Sequence, residues 1–253
     1  MEQITSRTNP LISRFRKLAG DRKLRRAEGV LVCEGPKMLS EALAWGFVPE
    51  TALVAGDFAF DFPPQTRVVR VPDDLLKSVA PTQTPQKVLF LAPMPRRDLP
   101  EVLPGRRYLV LDGLQDPGNA GTLWRTADAF GADGLLLLPG CADPWSPKTL
   151  RATMGACFRL PVWETALEDL VPLLDRSRLP LYATALRDDT RDLREVEADR
   201  WALVIGSEGR GVSQAVLEAC AATLRIPMNP RCESLNAAAA GAVALWELSR
   251  ADL

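Results

Sequence analysis

Polar side chains and a glycine-rich turn in three separate segments could do chemistry in this sequence. The turn is residues 206–211, and the candidate side chains are Asn119, Arg125, Glu208, Ser234 and Asn236. An arginine guanidinium offers several donors in a fixed fork and stays charged, so it suits hydroxyl and phosphate oxygens. Glycine permits positive φ and lets the backbone approach a ligand closely. These residue types indicate a polar ligand site assembled from distant parts of the chain.

The absence of some residue types narrows the chemistry. The 253 residues contain no histidine, which excludes Ser-His-Asp and Cys-His catalysis and removes the commonest metal ligand. The five cysteines are scattered without C-x-x-C spacing, so structural zinc and a disulfide framework both lack support. We expect most of them to be buried small hydrophobic residues, and we expect no metal.

The glycine-rich turn does not match the common phosphate-binding loops. Residues 206–211 lack the Lys-Ser/Thr of a P-loop, and their glycines are not spaced as G-x-G-x-x-G. Neither a nucleoside triphosphate nor a dinucleotide is therefore well supported. By itself, the hexapeptide is equally compatible with an ordinary turn from a strand to a helix.

The elements that must position these segments alternate between strand and helix after residue 106. Apolar strands are predicted at residues 108–112, 134–138, 160–163, 181–185, 201–205 and 224–226, with helices at residues 118–130, after Pro147, and at 167–176, 213–219 and 234–250. Such strands favour a parallel α/β sheet covered on both faces. Each candidate segment follows a strand, so all three should meet at the carboxyl edge of the sheet. Residues 187–200, which are mostly charged, are expected to form a solvated loop.

A proline-rich stretch predicts two domains. Four prolines between residues 92 and 105 prevent a regular helix or a central strand and are typical of a semi-stiff spacer. We expect a small α/β sandwich at residues 1–94, a linker at 95–105 and a second domain at 106–253. The first domain has predicted strands near residues 30–35, 51–55, 67–71 and 87–91, and predicted helices at 36–45 and 72–79.

Basic residues concentrate near the N-terminus, although the net charge of the chain is only −1. Residues 7–26 hold one acid, Asp21, and a cluster of cations that is typical of a phosphate-binding surface. The RNA-contacting candidates are Arg7, Arg14, Arg22, Lys23, Arg25 and Arg26. The alternative is the solvated face of an amphipathic helix, because Leu11, Ile12, Phe15 and Leu18 recur at helical spacing. Both can hold, with the apolar stripe docked and the cations outward.

No segment predicts a membrane association. No apolar run approaches the length that spans a bilayer, and the N-terminus lacks an apolar signal region. A cytoplasmic protein is the expectation.

Taken together and in this order, the segments resemble a known family. Residues 119–127, residues 206–211, and residues 226–228 with 234–236 resemble the three motifs of the SpoU (TrmH-type) RNA ribose methyltransferases of the SPOUT class. The resemblance covers residue 107 to the C-terminus, and the N-terminal part looks like the RNA-binding substrate domain of many SpoU enzymes. It implies a trefoil knot in the C-terminal domain, S-adenosylmethionine as cofactor, a homodimer and methyl transfer to a ribose 2′-hydroxyl.

The resemblance also implies roles for individual residues. Gly206, Ile226 and Leu235 match cofactor-contacting positions, Pro227 and Met228 line the same loop, and Thr184 is a weaker match. Asn119, Arg125, Glu208, Ser234 and Asn236 match the polar active-site positions. Arg125 holds the place assigned to proton transfer in the family. Because a guanidinium stays protonated, we expect Arg125 to orient the 2′-hydroxyl and the adjacent phosphate, held in place by Glu208, Ser234 and Asn236.

Other functions stay open at this point. A non-catalytic RNA-binding or ribosome-assembly protein could retain the fold, although drift would be expected to lose some of the five polar residues. A generic nucleotide-binding α/β enzyme is disfavoured by the missing phosphate loops. Among RNA substrates, the extra N-terminal domain favours ribosomal RNA over tRNA.

Overall fold

The structure is a computed structural model that describes residues 2–187, 189–232 and 234–252. It divides into two compact units. Unit 1 comprises Met1–Arg96 and Asp143–Arg159, and unit 2 comprises Arg97–Ala142 and Leu160–Leu253. Residues 143–159 therefore belong to unit 1, which differs from the expected single second domain at 106–253.

The regular elements have the following bounds. The strands are β1 Glu2–Gln3, β2 Val30–Glu34, β3 Thr51–Ala55, β4 Arg67–Val71, β5 Val88–Pro93, β6 Arg107–Asp112, β7 Gly134–Leu137, β8 Val162–Glu164, β9 Leu181–Thr184, β10 Arg191–Asp192, β11 Trp201–Gly206 and β12 Ala222–Arg225. The helices are α1 Pro10–Gly20, α2 Arg22–Glu28, α3 Pro36–Ala44, α4 Asp73–Val79, α5 Pro117–Ala129, α6 Pro147–Thr153, α7 Ala156–Arg159, α8 Leu167–Ser177, α9 Gln214–Ala219 and α10 Ala237–Ser249.

Unit 1 is built on a mixed sheet in the order β1-β4-β3-β5-β2. Its core includes the predicted apolar stripe of α1, because Leu11, Ile12, Phe15 and Leu18 are all buried. The helix begins where the sequence indicates: the Asn9 side chain accepts from the Leu11 amide at 2.9 Å, and Pro10 occupies the first turn. The predicted strand near residues 30–35 follows α2, which is capped at its C-terminus by Gly29 in the left-handed region.

Unit 2 is built on an all-parallel sheet in the order β10-β12-β9-β11-β6-β7-β8, which confirms the predicted parallel α/β class. The two central strands, β6 and β11, are buried along their whole length. Their register places Gly206 beside Asp112, so both strands end at one level. The candidate segments follow the strands at this carboxyl edge of the sheet.

Residues 97–105 of the proline-rich stretch pack against the rest of unit 2 and are hydrogen-bonded to it. The Trp163 indole donates to the Asp98 carbonyl at 3.0 Å, and the Leu103 amide donates to the Ser177 hydroxyl at 2.9 Å. Leu103 is itself buried. Residues 97–105 are therefore part of the packed unit, whereas the sequence predicted a semi-stiff spacer between two domains.

Part of the stretch expected to be a solvated loop, residues 191–195, forms regular structure. It contributes β10, which pairs in parallel with β12, and a 3₁₀ turn at Leu193–Glu195. Leu193 is buried, so this charged segment also contributes a side chain to the interior of unit 2.

The cysteines follow the sequence-based expectation in part. All five are free thiols; Cys33 and Cys157 are buried, Cys141 and Cys220 are half-buried, and Cys232 is exposed. Burial raises the pKa of the Cys157 thiol to about 12 and that of Cys141 to about 11. Among the helices described, none is long and apolar enough to cross a membrane.

Candidate active site

Three of the predicted polar residues form one hydrogen-bonded chain in unit 2. The Asn119 amide nitrogen donates to the Glu208 carboxylate, and the Asn236 amide nitrogen donates to the Asn119 side-chain oxygen at 3.3 Å. A carboxylate only accepts, so Asn119 must turn its nitrogen to Glu208 and its oxygen to Asn236. The chain thus joins one residue from each candidate segment, as the sequence predicted.

Helix starts hold both asparagines. The Asp116 carboxylate caps α5 by accepting from the backbone N–H of Asn119 at 2.8 Å, and Pro117 occupies the first turn. Asn236 is the N-cap of α10, where its side-chain oxygen accepts from the Ala238 amide at 2.9 Å. The α10 helix therefore begins after Asn236, three residues later than predicted.

The two helices pack closely at a glycine. A Cβ added at Gly241 on α10 would collide with the Leu123 side chain on α5. Glycine at this position permits close packing of α10, which begins directly after Asn236, on α5, which carries Asn119.

The glycine-rich turn is a closed loop after β11. Ser207 and Gly211 exchange backbone hydrogen bonds of 2.9 and 3.0 Å. Gly211 has φ +68°, and a Cβ on Gly206 would collide with the backbone of Gly211 and Val212. Glycine is therefore required at these two positions for the loop to fold back and carry Glu208 toward Asn119.

Sequence reasoning missed Asp112, which anchors this loop. Asp112 is buried at the end of β6, and its carboxylate accepts from the Ser213 amide at 2.6 Å. A signal was present, since Asp112 is an acid at the end of an otherwise apolar strand that carries the first motif. Its role is to fix the residues that follow the glycine-rich turn.

A cleft of about 320 Å³ opens beside the polar chain. It is lined by the ends of β9, β11 and β12 and by the start of α10. Of the predicted residues, Thr184, Gly206, Glu208, Ile226, Met228, Ser234 and Leu235 line it. Pro227 is exposed and is not among its described lining residues, whereas Leu186, Arg225 and Ala240 line it without having been predicted.

The cleft fits a nucleoside-sized ligand. Its volume lies in the range of small-molecule sites, which are largely apolar with a few polar groups. Ile226, Met228 and Leu235 supply apolar surface, and Glu208 supplies a negative charge. The cleft also lies at the carboxyl ends of parallel strands, where ligands collect in open α/β sheets.

Comparisons with known proteins match both units. The model of the SpoU rRNA methylase family matches residues 106–246, and the model of the MRM3-like substrate-binding domain matches residues 9–90. The chain is 33% identical to the 23S rRNA (guanosine(2553)-2′-O)-methyltransferase RlmP of Bacillus subtilis, over 98% of this chain and 99% of that protein. This chain belongs to the SpoU rRNA methylase family.

Solved structures agree with this assignment. An AdoMet-bound rRNA methyltransferase from Sinorhizobium meliloti superposes with a TM-score of 0.88 at 29% identity, covering 100% of this chain and 98% of that one. The SpoU methyltransferase AviRb from Streptomyces viridochromogenes, in complex with AdoMet, superposes with a TM-score of 0.84 at 28% identity, covering 96% and 98%. The chain is therefore an S-adenosylmethionine-dependent RNA 2′-O-ribose methyltransferase, as its three motifs predict, and ribosomal RNA is favoured over tRNA.

Arg125 of this SpoU methylase lies apart from the polar chain. It is exposed on α5, and within the described ranges it has no hydrogen bond or ion pair. The expected support of Arg125 by Glu208, Ser234 and Asn236 is not found there. The guanidinium is thus left available for a partner outside this chain.

The basic residues of unit 1 differ in their availability. Arg25 is buried, donates to the Leu18 carbonyl at 2.7 Å and pairs with Asp143 at 2.7 Å. Its expected role as an outward phosphate contact is therefore wrong, because the guanidinium is buried and both terminal nitrogens donate inside the unit. Arg22 and Arg26 approach the same carboxylate at 3.7 Å and keep exposed surface.

The remaining candidates in the basic cluster are on the surface. Arg14 pairs with Glu28 at 2.7 Å and with Glu50 at 2.5 Å, and Arg7 pairs with Asp74 at 2.9 Å. These pairs neutralise part of the positive charge that the sequence shows. Lys23 is exposed and has no ion pair with any residue described; it is the clearest free cation of the predicted set.

Proposed function

We propose that this SpoU methylase modifies a ribose in large-subunit ribosomal RNA and that the cleft beside Glu208 holds S-adenosylmethionine. The observation that carries the proposal is the chain from Glu208 through Asn119 to Asn236, which joins the cleft to the starts of α5 and α10. Whole-length similarity to a 23S rRNA methyltransferase supports the choice of RNA. The bound cofactor supplies a methyl group on a positively charged sulfur.

In the proposed reaction, the protein itself positions the ribose, and no metal ion takes part. Arg125 binds the 2′-hydroxyl oxygen and the adjacent phosphate, so the fork of donors sets the line of approach and stabilises negative charge on the attacking oxygen. The proton leaves toward solvent, to which Arg125 is exposed. Asn119 and Asn236 keep Glu208 at the cleft wall, and Ser234 completes the polar lining.

We also propose a homodimer formed through unit 2. Val243 and Trp246 form an exposed apolar stripe on α10, with 43% and 52% of their surfaces accessible, and the Trp246 ring lies 5.7 Å from that of Phe130. Burial of this stripe by a second copy would remove its apolar surface from water. It would also give Arg125, on the adjacent helix α5, a site shared between two subunits. Of the four alanines that begin α10, Ala237 and Ala238 are buried within the chain, whereas Ala239 is exposed.

Unit 1 is proposed to bind the RNA around the target. Its match to a substrate-binding domain and the exposed cation Lys23 support this role. We further propose that the enzyme acts in the cytoplasm, which the free thiols support because reducing compartments keep cysteines unpaired. The trefoil knot implied by the family resemblance is part of the same proposal for unit 2.

The decisive experiment is methyl transfer from labelled S-adenosylmethionine to three RNAs that lack ribose methylation: large-subunit rRNA, small-subunit rRNA and tRNA. We expect label in large-subunit rRNA, at a ribose that resists alkaline cleavage on its 3′ side. Label on a base, or label in tRNA alone, would contradict the proposal. An Arg125→Ala variant is the control for contaminating enzymes.

A further inference from the structure

Three phenylalanines lie close together in the loop between β3 and β4 of unit 1. Phe58, Phe60 and Phe62 are three of the eight phenylalanines in the chain and occupy alternate positions in five residues. The segment has no helix or strand, and all three side chains are half-buried. Phe15 and Phe90 of the same unit are fully buried, whereas these three rings keep part of their surface exposed.

The rings form a continuous row. Phe58 and Phe60 lie parallel within 4° at a centroid distance of 6.3 Å, and Phe60 and Phe62 lie 5.2 Å apart at 57°. Parallel aromatic rings have flat π faces, on which planar ligands stack. An aliphatic loop of the same apolarity would not offer this geometry.

The charges around the row favour a base over a phosphate. Asp57 precedes the first ring and Asp61 lies between the second and the third; both are exposed, so they repel a phosphate placed directly on the row. Arg70 lies at the root of the loop, where its guanidinium donates to the neutral Gly56 carbonyl and has no ion pair with the residues that the structure describes. A neutral base stacked on the rings avoids the repulsion by the two aspartates, and its phosphate can lie toward the positive charge of Arg70.

We infer that Phe58, Phe60 and Phe62 form a stacking site for an unpaired nucleobase of the RNA substrate. Single-stranded bases stack on aromatic side chains, and this contact tolerates different bases because each has a π face. The loop lies within the matched substrate-binding domain, residues 9–90. The inference rests on the proposal that unit 1 binds RNA, and it adds that the bound region contains a base outside a duplex.

The test uses the full chain and two probes. One is a single-stranded oligo(A) of about 12 nucleotides, within the usual site size for such binders, with 2-aminopurine at its centre; the other is the same sequence in a duplex. A triple variant replaces Phe58, Phe60 and Phe62 with Leu, which keeps apolar side chains and removes the π faces. Phe47→Leu is the matched control, because Phe47 is also half-buried and its ring lies 5.2 Å from another ring, that of Phe158.

We expect the triple variant to lose roughly tenfold or more in affinity for the single strand, together with the quenching of 2-aminopurine that stacking causes. The salt dependence of its binding should not change, since no phosphate contact is removed. Phe60→Leu should lose less affinity for the single strand than the triple variant does. Phe60→Tyr keeps an aromatic ring and should therefore retain most of the wild-type affinity. Phe47→Leu should bind as the wild type does. Melting temperatures equal to that of the wild type establish that the variants fold. If the triple variant does not fold, Phe60→Leu takes its place in the comparison.

Several results would overturn the inference. These are wild-type affinity and quenching in the triple variant, an equal loss for the duplex, or an equal loss in Phe47→Leu. A Lys23→Ala variant separates the two proposals: if it lowers the salt dependence while the triple variant binds normally, unit 1 binds RNA and only the stacking site is wrong. If the wild type binds neither probe and no rRNA, both proposals fail.

Discussion

The Asn236 side chain donates to the side-chain oxygen of Asn119, 117 positions earlier, at 3.3 Å. The same Asn236 accepts from the Ala238 and Ala239 amides at the start of α10. One side chain therefore caps a helix and fixes the orientation of the Asn119 amide, which in turn contacts Glu208. Helix stability and site geometry meet in this residue and can be separated by substitution.

Replacing Asn236 with Asp should separate the two roles. Aspartate retains the capping acceptor but has no donor for Asn119. We expect Asn236→Asp to keep the free energy of unfolding within about 0.5 kcal/mol and to lower methyl transfer at least tenfold. Asn236→Ala should lose about 1 kcal/mol of stability as well. Denaturant unfolding and single-turnover transfer measure the two effects, and full activity in Asn236→Asp would remove the hydrogen bond from the mechanism.

Arg125→Ala should abolish transfer and leave S-adenosylmethionine binding within about twofold, because Arg125 is not among the residues that line the cleft. Arg125→Lys retains the charge without the planar fork, so we expect it to recover only a small part of the activity. Calorimetry with the cofactor and single-turnover transfer test both statements. Near wild-type turnover in the alanine variant would exclude Arg125 from the site.

Removal of divalent ions should leave transfer intact. The chain has no histidine, and the described residues contain no group of three side chains suited to hold a metal ion. The assay is run after exhaustive chelation, with the RNA kept folded by monovalent salt and polyamine. Complete loss of activity that only one divalent ion restores, with the RNA shown to stay folded, would contradict the proposal.

Trp246→Glu should dissociate the proposed dimer. It places a charge in the exposed apolar stripe of α10, where burial against a second copy would leave that charge unpaired. Trp45→Glu is the matched control, because Trp45 in unit 1 is 54% exposed, close to the 52% of Trp246. Light scattering should report the dimer mass for the wild type and Trp45→Glu and the monomer mass for Trp246→Glu. A wild type that is a fully active monomer would defeat the claim.

Arg25 and Lys23 should have different roles: Arg25 should contribute to stability, and Lys23 should contribute to RNA binding. Arg25→Ala removes a buried partner of Asp143, so we expect a loss of about 3 kcal/mol in stability. Lys23→Ala removes an exposed cation, so stability should stay within about 0.5 kcal/mol, while the salt slope of RNA binding falls by about one unit if Lys23 contacts a phosphate. Unfolding curves and binding at several salt concentrations distinguish the two. An unchanged slope in Lys23→Ala would mean that this lysine is only solvated.

Local signals in the sequence were sufficient for much of the fold. The apolar spacing of Leu11, Ile12, Phe15 and Leu18 predicts the buried face of α1, and the apolar runs of unit 2 predict the parallel sheet. These predictions hold because strand and helix periodicity depend on neighbours a few residues apart. The meeting of the three candidate segments at one edge also follows from the parallel direction of the strands.

Contacts between distant residues were decided only in the tertiary structure. The charge of Arg25 suggests a phosphate contact, yet its partner Asp143 lies 118 positions away and takes the guanidinium into the interior. The same kind of contact brings residues 143–159 into unit 1. Sequence alone determined which side chains could bind RNA and cofactor; long-range packing decided which of them remain available, because a buried charge must be paired and its donors cannot then serve a ligand.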